Sequence, residues 1–140
     1  SYIHRERTSA MRWTDWPLDR FLVLFVSLAF LLISIQVTMS HYRQNFHQKT
    51  MLIPVAEAPI FMIIAGALAF TGLDWLMTLF LTCMWLGVFT GLAGTYLHLR
   101  GVGVRVGGYE FRNFLMGPPV IMPILYTAVS VLGLAAGYWR

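Results

Sequence analysis

The sequence predicts an all-α integral membrane protein. Its four transmembrane helices are expected to form two tandem-duplicated hairpins, related by a pseudo-twofold axis along the membrane normal. Three observations carry this. Of 140 residues, 58% are hydrophobic and only 11% charged, against about 25% charged in soluble domains. The few charges cluster and leave long uncharged runs, and the mean hydropathy is +0.67. A set of short motifs also occurs twice in the same order. Sixteen charged side chains, ten basic and six acidic, cannot cover a soluble fold of this size. An ordinary soluble enzyme, a disordered chain and a disulfide scaffold are thereby excluded.

A spanning helix needs about 20 mostly apolar residues. The first uncharged run is 21–40, and its helix is placed at 17–41. At 20 residues the run exceeds the apolar core of a cleavable signal peptide, roughly 7–15 residues, and no small-residue cleavage pattern follows. The second run, 58–73, is extended back to Pro54, because proline suits a first helical turn; the helix is placed at 54–73. The third and fourth helices are placed at 75–98 and 117–139. Continuously apolar runs do not alternate as the strands of a membrane β-barrel do.

Four crossings put both ends on one side, called side A, with 1–16 as an interfacial N-terminal segment. Trp13, Trp16, Trp75 and Trp139 fall at that interface, where indole rings meet lipid headgroups. Loops 41–53 and 99–116 lie on side B. Each side holds five Lys or Arg residues, so the positive-inside rule sets no orientation. The isoelectric point of 9.6 reflects interfacial arginines. No basic, aromatic or zinc-spaced motif points to nucleic acid.

Asp15-Trp16 opens the first helix and Asp74-Trp75 the third. His41-Tyr42-Arg43 closes the first and His98-Leu99-Arg100 the third. Asn45-Phe46 and Asn113-Phe114 follow. Pro54 and Pro59 are five apart, as are Pro118 and Pro123. These pairs define repeat units 13–75 and 74–140, in the parallel class of internal repeat.

The duplication makes His41 and His98 equivalent residues at the side B ends of two helices. Two neutral imidazoles on facing helices are the ligand set of a b-type haem, and each alone suits a chlorophyll-type pigment. Both are also explained as interfacial polar residues followed by an anchoring arginine. Glu57 belongs to the same side. It pairs with Arg43 or Lys49 on proximity alone, or joins His41, His47 and His98 in a mixed metal-ligand set. A third use is as an acid–base group, with His98, for a proton or quinone. The ligand spacing is irregular, and HExxH and HxxxH are absent. The glycines 101, 103, 107 and 108 lack the spacing of a phosphate loop. Val102, Val104 and Val106 alternate with Gly and Arg, the pattern of a short β-like excursion.

The four runs contain no Asp, Lys or Arg, which argues against a transporter or channel. Gly87 with Gly91, and Gly133 with Gly137, are four apart and mark close helix packing. Cys83 is the only cysteine, so no intrachain disulfide forms, and its mid-run place reads as a small buried residue. The reading that follows is a non-catalytic accessory or anchoring subunit of a larger membrane complex of electron transport or photosynthesis. Its partners are the bilayer with bound lipid, and other membrane subunits or a second copy. The alternatives are a cytochrome b-like subunit with haem between His41 and His98, and a membrane enzyme with a His/Glu metal site.

Overall fold

A computed structural model describes residues 13–43, 49–105, 108–109, 111–112 and 120–139. It is all-helical. Helix α1 is Leu18–Arg43, α2 is Leu52–Thr71, α3 is Asp74–Arg105 and α4 is Ile121–Gly137, with a 3-10 turn Lys49–Met51 leading into α2. Three of them, α1, α2 and α3, are long and apolar enough to cross a membrane. The described α4 has 17 residues, about 25 Å at 1.5 Å per residue.

The helices form a ring. The closest packing is α1 on α2 and α3 on α4, and α1–α4 and α2–α3 contacts close it, so α1 faces α3 across one diagonal. The core is apolar and aromatic. Phe30 of α1, Phe61 of α2 and Tyr126 of α4 meet at its centre with ring centroids 5.3, 5.4 and 6.2 Å apart. Phe30–Phe61 and Phe30–Tyr126 are edge-to-face, the arrangement ring quadrupoles favour.

The α3–α4 seam is built on the glycines the spacing singled out. A methyl group at Gly91 would lie 2.8 Å from the Thr127 backbone nitrogen, at Gly94 3.1 Å from Pro123 Cβ, and at Gly87 3.1 Å from Ser130 Cβ. Gly133 faces Met84 and Phe80, and Gly137 faces Leu81. Without side chains at these positions the two backbones approach closely.

The α2–α3 turn is fixed from both directions. Gly72 has φ +66°, the left-handed geometry that ends many helices, and its N–H bonds Leu68 O at 2.8 Å. Trp13 is buried under this turn and donates its indole N–H to the same carbonyl at 2.7 Å. Arg20 donates to Ala69 O at 2.7 Å and Asp15 O at 2.6 Å, with its guanidinium 3.7 Å above the Trp16 ring. At the end of α2, where helical carbonyls run out of partners, Leu68 O thus receives the indole beside the Gly72 N–H, and Ala69 O receives the guanidinium.

Two expectations are corrected here. Trp13 is not an interfacial belt residue; only Trp16, Trp75 and Trp139 of that set are exposed. Residues 99–105 are not a β-like loop but the continuation of α3. Gly101 and Gly103 weaken a helix by only about 1 kcal/mol each, and Tyr109 closes over Gly103, whose added methyl would lie 2.6 Å from the phenol. Val106 lies outside the described residues.

Candidate functional site: a carboxylate inside the bundle

Glu57 lies five residues into α2, about 7.5 Å from its start and about 21 Å from its end. Its carboxylate points across the bundle. Tyr126 of α4 donates its phenolic O–H to Oε1 at 2.8 Å, and Thr90 of α3 donates its hydroxyl to Oε2 at 2.9 Å. The sequence suggested Arg43 or Lys49 as partner. Both carboxylate oxygens are instead engaged by neutral hydroxyls of helices distant in sequence. Glu57 is half-buried and Tyr126 buried.

The donors are placed by packing. Tyr126 is locked between Phe30 and Phe61, which aims its hydroxyl at α2. Thr90 departs from the habit of its helix. The other three α3 threonines bond the carbonyl one turn back: Thr78 to Asp74 at 3.4 Å, Thr82 to Thr78 at 2.9 Å and Thr95 to Gly91 at 2.8 Å. Thr90 gives its hydroxyl to Glu57. The proline two residues beyond Glu57, Pro59, stands inside α2, and a proline there removes one helical hydrogen bond.

His41 is buried at the end of α1, and His98 is half-buried in α3. Phe30 packs on Phe61, so His41, eleven residues further on, is level with residue 50. Thr90 bonds Glu57, so His98, eight residues further on, is level with residue 49. Both histidines therefore lie at the height of the 3-10 turn, about 12 Å beyond Glu57, on helices that face each other across the ring. His47 lies outside the described residues. Among the described residues no three His, Cys, Asp or Glu side chains gather as a metal site would require.

Tyr126 and Thr90 were not foreseen as partners of Glu57. The available signal was the presence of a carboxylate close to an uncharged run, since such a group needs hydrogen-bond donors from its neighbours. In comparisons with protein-family models, curated proteins and solved structures, nothing matches this chain.

Proposed function

We propose that the chain is an integral membrane subunit that works by lateral association within a larger membrane assembly, of the kind that carries electrons or harvests light. One observation carries the reading. Within the apolar run of α1, Gln36 faces outward and donates to Ser40 Oγ at 3.2 Å, one turn on. Around the pair the same surface is large and apolar, with Leu32, Ile35 and Met39 exposed. A primary amide has two N–H donors and two acceptor sites, and Ser40 engages one of them. Lipid tails offer nothing for the rest, whereas a neighbouring helix does; polar side chains at such positions join membrane helices.

The test is extraction of the tagged chain into native-lipid discs. A second polypeptide in fixed ratio is expected, and Gln36→Leu should lower that ratio severalfold. Recovery of the chain as a lone 15.9 kDa species would contradict the proposal.

The tandem duplication belongs to the same proposal. Each hairpin sets one serine against one glycine, with the two exchanged between helices: Ser27 of α1 against Gly66 of α2, and Gly87 of α3 against Ser130 of α4. A second reading, haem held between His41 and His98, is favoured by their common level. A redox-sensitive Soret band lost on His41→Ala or His98→Ala would support it, and an unchanged band would remove it.

A further inference from the structure

We propose that Glu57 is a reversible proton-binding site within the apolar zone of the bundle, reached from the histidine side, whose charge state sets how α2 is tied to α3 and α4. This goes beyond lateral association and rests only on the chain being membrane-embedded.

The geometry supplies three parts of the argument. First, the ionised carboxylate is acceptor-only, and two hydroxyls from two other helices supply it with donors. Neither donor brings positive charge. Among the described residues no cationic side chain bonds it. An intramembrane carboxylate held in this way exchanges a proton more readily than one locked in an ion pair.

Second, a proton on Glu57 changes the hydrogen-bond count. One carboxyl oxygen becomes a donor, so one hydroxyl must turn from donor to acceptor. Thr90 has the alternative ready. Its neighbours on α3 already bond the carbonyl one turn back, and the corresponding acceptor for Thr90 is Leu86 O. Proton uptake therefore sends the Thr90 hydroxyl to its own helix and leaves Glu57 as donor. Release restores the present arrangement. The proton comes from water and returns to it, with no other reactant.

Third, the path is short on one side only. Glu57 is about 7.5 Å from the start of α2 and about 21 Å from its end. Among the described residues, the charged and titratable groups toward the near end include His41, Tyr42, Arg43, Lys49, Tyr96, His98 and Arg100. From the elements packed around the carboxylate, α3 contributes the Cys83 thiol within electrostatic reach, α4 contributes Tyr126, and α1 contributes the Phe30 ring packed on Tyr126.

Infrared difference spectroscopy of the full chain in lipid discs, stepped between about pH 4 and about pH 10, reads the site directly. A protonated carboxyl C=O stretch that titrates reversibly is expected, and it should vanish in Glu57→Gln. Tyr126→Phe removes a donor that favours the charged form, so the midpoint should move up by roughly half a pH unit. Thr90→Val should move it the same way. Should Glu57→Gln fail to fold, the Tyr126→Phe shift carries the test by itself. The absence of any titrating band that depends on Glu57 overturns the proposal, as does a Tyr126→Phe midpoint unmoved from wild type. Alkaline extraction of the expressing membranes separates this failure from the other. A chain released by that treatment is not membrane-embedded, whereas a retained chain without the band is embedded but binds no proton at Glu57.

Discussion

Trp13 and Gly72 carry the tightest packing at the α2–α3 turn, and each constrains the other. An alanine at Gly72 meets two obstacles. Its φ of +66° is strained for any residue with a Cβ, and that Cβ would lie 3.0 Å from the Trp13 backbone nitrogen, with the indole closer still. Gly72→Ala should therefore lower the unfolding free energy by about 1–2 kcal/mol from the backbone alone, with the displaced indole adding to it. Trp13→Phe keeps a ring in place but removes the donor to Leu68 O, at a loss of about 0.5–1.5 kcal/mol. Equilibrium unfolding in mixed micelles, followed by the other tryptophans, measures both. An unchanged midpoint for Gly72→Ala would mean that the turn is not held as described. At Glu57, the loss of the Thr90 hydroxyl in Thr90→Val should reduce stability by about 0.6 kcal/mol, a typical value for an interhelical hydrogen bond in a membrane protein.

At the level of elements, the glycine seam makes α3–α4 the least tolerant pair. Gly91→Ala places a methyl against the Thr127 backbone, which cannot rotate aside. It should destabilise the bundle by about 1–3 kcal/mol. Gly66→Ala on the α1–α2 pair meets only the Ser27 hydroxyl, at 3.1 Å, and should have a markedly smaller effect in the same unfolding assay. Equal effects would contradict the seam. The positions of the helices and this seam were legible beforehand, because run length and small-residue spacing are properties of the chain itself. The end of α3 was not. Valine alternating with glycine and arginine after residue 101 reads as a short β-like excursion, yet the helix continues through Arg105. The partners of Glu57 were hidden for a related reason. Helices that are apolar nearly all round do not record which face turns inward, so proximity in sequence favoured Arg43 or Lys49 over Thr90 and Tyr126. The histidine pair stands between these cases: H-x-R occurs in both α1 and α3 but closes only α1, so the common level of the two histidines, like the diagonal placement of their helices, emerges only from packing.

For the whole molecule, we propose that all four helices cross the membrane, with residues 14 and 139 on one side and the 3-10 turn on the other. The fourth crossing is the decisive one, because the described α4 is about 25 Å long against a hydrocarbon core of about 30 Å. Cys83 is the only cysteine, so Cys83→Ser gives a clean background for accessibility mapping. Single cysteines would be placed at Thr14, Lys49 and Trp139 and labelled in sealed vesicles with a membrane-impermeant maleimide. The account predicts that positions 14 and 139 label from the same side and position 49 from the opposite side. Labelling of 14 and 139 from opposite sides would mean an odd number of crossings and would contradict the bundle as an embedded unit.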